Sequence, residues 1–220
     1  MKRSLTIILF FLISFSCFAK EENWVHLTRK NDIDVYSKKV KTSPIKFLRA
    51  QGIIQSSIEN IVAILRNVEN AVNWVPNLGE RSYVKNISDT EAILYDISKM
   101  PWPVTDRDMV VHHKLSLSPD KKSLILSFHS VENELKPIQE GFVRAKIHRG
   151  KIIFTPKTKN TTYVSLTILV DPMGDIPKWV VNLLQVKLPY EFLMSLNKFA
   201  AKTSFKPVTG IQELLDQLIR

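Results

Sequence analysis

The 220 residues allow one sizeable domain or two very small ones, and 45% hydrophobic with 24% charged residues is a globular balance that excludes disordered and fibrous classes. Lys and Arg number 31 against 21 Asp and Glu, a net charge of +10, which brings nucleic acid and acidic membrane surfaces into consideration as partners. One Cys excludes a disulfide scaffold or a Cys-rich zinc module, and six Gly leave little material for phosphate-cradling loops.

The chain opens with Lys2 and Arg3, an apolar run over 5–15, small residues up to Ala19 and a polar start at Lys20. This is the order of a secretory signal peptide, too short to span a roughly 30 Å hydrocarbon core. The expectation is cleavage after Ala19 and a periplasmic or secreted protein. Lipidation at Cys17 is the rival, disfavoured because Ser14-Phe15-Ser16 departs from the Leu-small-small approach that such processing prefers. Without residues 1–19 the chain has 29 basic and 21 acidic residues, a charge of +8, and no thiol. Nucleic acid is scarce outside the cytoplasm, so the expected anionic partner narrows to a membrane leaflet, contacted transiently.

Residues 20–220 contain no repeat or linker and read as a single domain, expected to be a monomer. Alternating segments over 33–40 and 46–54 form a hairpin closed around Thr42-Ser43-Pro44. A helix follows, with Ser56 and Glu59 as its capping box and Ile58, Ile61, Val62, Leu65 and Val68 at helical spacing; Trp74 and Pro76 end it. Strand-like runs then cover 81–88, 91–98, 108–117, 123–131, 141–148, 151–155 and 161–170. The short separations permit hairpins but no crossover helices, so the sheet is expected to be mainly antiparallel and, with this many strands, strongly curved. A long helix opens near Pro177 with Asp175 as cap, and its apolar face carries Val181, Leu184, Leu188, Phe192, Leu196 and Phe199. Pro189 should kink or loosen it midway. A short amphipathic helix with Ile211, Leu214, Leu215 and Leu218 closes the chain.

A curved sheet gripping a long helix encloses either a packed core or an apolar cavity, and periodicity alone leaves both open. Three stretches bear on the choice: Met100-Pro101-Trp102-Pro103-Val104-Thr105-Asp106-Arg107-Asp108-Met109-Val110-Val111, Gly141-Phe142-Val143-Arg144-Ala145, and Asp171-Pro172-Met173-Gly174-Asp175-Ile176-Pro177-Lys178-Trp179-Val180-Val181-Asn182. In this order they resemble the signatures of the StAR-related lipid-transfer (START) family, over roughly residues 22–206. Trp24, residues 33–36 and Asn73-Trp74-Val75-Pro76 match its opening pattern more loosely. The resemblance implies an α+β helix-grip fold, a lipid-sized hydrophobic cavity, and the last long helix as its lid.

The expected ligand-binding set is Trp102 and Arg107 of the signature, Met109, Val111 and His113 on one face of the following strand, Asp96, and the lid residues Leu184, Leu188, Phe192, Leu196 and Phe199. Asp106, Arg107 and Asp108 also have a structural reading, an Arg fork held by a carboxylate and loop carbonyls. His113 is the polar member of its stripe. In sterol-binding relatives the matching position carries a basic residue paired with an acid on the preceding strand, whereas here that acidic position is Leu94, with Asp96 two residues on. No nucleophile elbow, zinc motif or phosphate loop is present, and His112 and His113 point to opposite strand faces. The expectation is a carrier without catalytic residues, metal or cofactor; a cavity enzyme or a ligand-free interaction module are the alternatives. Lys38, Lys39, Lys41, Lys121, Lys122, Lys146, Arg149, Lys151, Lys157 and Lys159 read as a broad solvated positive field.

Overall fold

The computed structural model of the chain describes residues 23–41 and 43–219; the expected signal peptide, Cys17 and the hairpin residue Thr42 lie outside the described residues. The elements run β1 (Val25–Lys30), β2 (Ile33–Val40), β3 (Ser43–Ile54), α1 (Ile58–Arg66), a 3-10 turn (Ala71–Asn73), β4 (Leu78–Ser88) and β5 (Glu91–Ser98). They continue with β6 (Arg107–Leu117), β7 (Leu124–Ser130), β8 (Val143–Arg144), β9 (Lys146–Thr158), β10 (Thr161–Asp171), α2 (Lys178–Ala200) and α3 (Thr209–Asp216). One sheet takes the order β1-β2-β3-β10-β9-β7-β6-β5-β4, antiparallel throughout, and β8 adds a short parallel pair to the start of β6.

The two-residue period assigns one face of each strand to the interior. Val35, Ala50, Val164, Phe154, Leu124 and Val111, on six different strands, are essentially inaccessible. They form one core with Ile61 and Ile64 of α1, Leu193 and Leu196 of α2, and Ile211 and Leu215 of α3. The sheet therefore grips the helices as expected for a helix-grip fold. Antiparallel hairpins also explain the short connections: Asn31 and Asp32 both take positive φ between β1 and β2, a conformation Asn and Asp tolerate best among non-Gly residues.

Several local expectations are corrected. The α1 cap is Ser57, whose hydroxyl accepts from the Asn60 N–H at 3.2 Å, while Ser56 turns inward and accepts from the Asn60 side chain at 2.9 Å. That helix ends at Arg66, before Trp74 and Pro76, because Asn67 takes an extended conformation. Residues 141–148 and 151–155 are not two separate strands: β9 runs through Gly150 without a break. A Cβ on Gly150 would lie 2.1 Å from the Phe128 ring, so glycine is needed there for close approach and not as a breaker. The edge strand β1 is additional. Asp175 does not cap α2, whose N-cap is Pro177 without a side-chain bond, and the helix continues through Pro189 to Ala200.

Candidate functional site: a cavity beneath the long helix

The three signature charges each fasten a different segment at one end of the sheet. Asp106 accepts from Lys99 Nζ at 2.7 Å and the Met100 N–H at 2.9 Å, and these contacts hold its carboxyl below the usual carboxylate range. Arg107, 3% exposed, donates Nε to the Pro172 carbonyl at 3.1 Å and Nη2 to the Met173 carbonyl at 2.9 Å, and reaches the Thr105 carbonyl as well. Asp108 is fully buried and accepts both arms of the Arg144 fork at 2.8 Å. Tyr95 also donates to it, and burial together with that carboxylate pushes the phenol up to about 12. Arg144 in turn donates to the Lys136 and Pro137 carbonyls. Loops 99–106, 131–142 and 172–177 are thus locked together around the first residues of β6.

Gly174 has φ +66°, a left-handed conformation that residues with a side chain adopt only with strain. This turn lets the chain leave β10, pass the Arg107 guanidinium and start α2 above the sheet. Beneath it lies a cavity of about 320 Å³, at the lower end of the range of small-molecule sites. Its walls come from the starts of β3 and β6, the end of β10 and the first half of α2, including Leu48, Met109, Ile168, Val181 and Leu188. Lys46, Ser98, Arg107 and Asp171 contribute its polar lining. At the same end of the molecule, Trp102 is 89% exposed, with Leu135, Ile138 and Met173 also exposed on the three locked loops.

Deeper between sheet and helices the polar groups are few. Arg81 of β4 donates Nε and Nη2 to the two Asp96 carboxylate oxygens at 2.8 and 2.6 Å, an inward-facing pair with little solvent contact. His113 faces the same interior, stacked on Phe128 with ring centroids 5.6 Å apart, and its Nε2 is buried without a hydrogen-bond partner. Burial first, and the Arg81 charge second, push this imidazole down to about 3, so it is neutral. It borders a second cavity of about 50 Å³ with Leu94, Leu115 and Ile211. Trp74 Nε1 is likewise buried without a partner, its ring packed on Phe192 and Phe199 at 5.3 and 6.4 Å.

The expected site residues divide accordingly. Met109, Leu188 and Arg107 line the larger cavity, and His113 the smaller one. Val111 and Leu196 are core residues, with Phe192 and Phe199 packed beside them. The Leu184 side chain lies outside the described residues. Asp96 is engaged by Arg81, a partner that sequence reasoning missed; only the β4–β5 register, which sets Arg81 opposite Asp96, brings them together. Trp102 stands apart from the cavity lining: a turn closed by the Val104 N–H on the Pro101 carbonyl at 2.9 Å leaves it exposed at a loop tip. Among the described residues no cluster of His, Cys, Asp and Glu is arranged to hold a metal ion.

A family model described as START domain matches residues 17–197. An uncharacterized protein of Pseudomonas aeruginosa is 27% identical over 84% of this chain and 90% of its own length. The ceramide transfer protein of Pongo abelii is 24% identical over 86% of this chain but 33% of its own length. Among solved structures, a STAR-related lipid transfer protein fragment from Xanthomonas axonopodis has a TM-score of 0.72 and 26% identity, covering 81% of this chain and 99% of that one. Human StAR-related lipid transfer protein 5 superposes with the same TM-score at 20% identity, covering 82% and 87%, and shares the fold.

Proposed function

The chain belongs to the START domain family, a family of lipid-binding and transfer modules, and on that premise we propose that it is a lipid carrier that loads and releases its cargo through the loop end of the sheet. The observation that carries this reading is the apolar cavity of about 320 Å³ enclosed by the sheet and the first half of α2, directly beneath the exposed apolar tips. Trp102, Leu135, Ile138 and Met173 give that end an affinity for the membrane interface, where an aromatic ring is favoured. Once a chain is inside, each methylene kept from water contributes about 0.8 kcal/mol, so a sixteen-carbon tail retains a gross gain near 12 kcal/mol before ordering costs.

Access requires that α2 yield at one end only. Among the described residues, the side-chain hydrogen bonds tying α2 to the body fall at or beyond Tyr190. Asn31 donates to the Tyr190 hydroxyl at 2.8 Å, the Gln55 N–H to Asn197 at 2.8 Å, and Asn60 to the Ala200 carbonyl at 3.3 Å. Pro189 sits just ahead of these anchors and offers no N–H to the carbonyl four residues earlier. The first half of α2, above the cavity, is the lid, and Pro189 its pivot. Export is part of the same proposal: N-terminal sequencing of protein recovered outside the cytoplasm should begin at Lys20, and a retained Met1 or a lipid on Cys17 would contradict it.

Native mass spectrometry and organic extraction of the mature protein test the carrier reading. A co-purifying lipid that exchanges into vesicles is expected; protein that stays empty when offered mixed lipids would sink it, and turnover of the bound species would favour an enzyme.

A further inference from the structure

The opposite, outer face of the sheet carries a second concavity, of about 450 Å³, separated from the lipid cavity by the sheet itself. It arises where β7 and β9 diverge beyond the Phe128–Gly150 pair. There the Ser130 hydroxyl accepts from the Ile147 N–H at 2.8 Å, and the β9–β10 register shifts between Leu169 and Val170. Strand register assembles its cations from β2, β3 and β9 around β10: Arg49 stands opposite Thr167, Thr167 opposite Lys151, Phe47 opposite both Lys38 and Leu169, and Leu169 opposite Arg149.

Arg49 is pre-positioned. Its Nε donates to the Thr167 hydroxyl at 3.2 Å, and the guanidinium lies 3.9 Å over the Trp24 ring. Lys38 Nζ sits 5.2 Å over the same ring. Among the described residues no carboxylate lines this groove, and none pairs with Arg49, Arg149 or Lys151. Arg49, Arg149 and Lys151 around one concavity repel each other unless an anion enters, and guanidinium forks match phosphate oxygens bidentately. A concavity of about 450 Å³ has room for one compact headgroup. The position selects a lipid source: Arg149 and its partner Leu169 lie two residues from the Asp171 end of β10, roughly 7 Å from the loop end at the rise of a strand.

We infer that this outer groove docks the phosphomonoester headgroup of an anionic lipid in the membrane on which the loop end rests. The membrane contact rests on the carrier reading; the groove is a separate site from the cavity.

The test is equilibrium binding of the mature protein to phosphatidylcholine vesicles containing phosphatidic acid, or phosphatidylglycerol at matched surface charge. Preference for phosphatidic acid is expected. Arg149→Gln with Lys151→Gln should weaken that binding about tenfold, while Lys122→Gln with Lys159→Gln, an equal charge loss at distant turns, should change it less than about twofold. Arg49→Gln, checked for folding by thermal melting, should abolish the preference. Equal losses from both double variants, no preference between the lipids, or polyglutamate or pyrophosphate binding as tightly as the phosphatidic acid vesicles would overturn the assignment. Cavity loading from pure phosphatidylcholine vesicles, measured on the same variants, should be unchanged. Docking without any loading would refute the carrier and leave the groove standing.

Discussion

His113 owes its neutral state first to burial, beneath the Phe128 ring, and then to the Arg81 charge. Gly150 leaves room for the Phe128 ring, and that ring covers the imidazole, so a missing side chain on β9 fixes a titratable group on β6. Because the folded pKa lies near 3 and the unfolded one near 6.5, the unfolded chain binds the extra proton between these values. The stabilising effect is complete above pH 6.5 and is lost as pH falls toward 3. Going from pH 7 to pH 4.5 should therefore cost the native protein about 3 kcal/mol more than His113→Leu loses, measured by urea unfolding at both pH values. Equal losses would show that the imidazole is not sealed from water. The sequence alone places His113 on the inner face, since strand alternation demands it. The Gly150–Phe128 contact is illegible there because it depends on which strands become neighbours, and the Arg81–Asp96 pair is hidden for the same reason.

Among the described residues most ion pairs join strands, as in Arg81–Asp96 and Arg144–Asp108, while Lys99–Asp106 ties a loop to the entry of β6. The run Asp106-Arg107-Asp108 sends Asp106 to loop 99–106, Arg107 to loop 172–177 and Asp108 to Arg144 of β8, which explains why three consecutive charges are compatible with the start of a buried strand. Asp108→Asn leaves the Arg144 fork without its counter-charge. A loss of about 3–5 kcal/mol is expected in denaturant unfolding, with Arg144→Lys also impaired because an ammonium cannot reproduce the two parallel bonds. A cost below about 1 kcal/mol would mean that the loops hold without it. For α2, a disulfide engineered between its first two turns and β3 should stop lipid exchange while leaving bound lipid in place. Unaltered exchange would remove the lid. Most strands are readable from alternation because each pairs with a chain neighbour. Strand β1 is not, since its side chains are almost all exposed and no apolar stripe marks it.

Across the whole molecule, one sheet separates two environments: an apolar cavity on its inner side and a cationic groove on its outer side. Filling the first should leave the second intact. Met109→Trp places an indole in the cavity wall and is expected to reduce retained lipid several-fold by extraction, with vesicle docking unchanged. Full lipid retention would put the cargo elsewhere. Composition reports the excess of positive charge but not its distribution. Lys38, Arg149 and Lys151 look scattered along the chain, and Arg49 looks unremarkable, until the β2-β3-β10-β9 order aligns them. The cavity is legible through the family signatures, since periodicity cannot distinguish empty space from packed side chains.

The position of β10 sets a timetable. This strand lies between β3 and β9, and its residues 161–171 are the link between the first three strands and the remaining sheet. A nascent chain that has not yet reached Thr161 holds two sheet fragments with no shared edge, so closure awaits nearly complete synthesis. Such long-range pairing is slow to form. Until that last quarter arrives, the edges of β3 and β9 that β10 will join stay without their final neighbour.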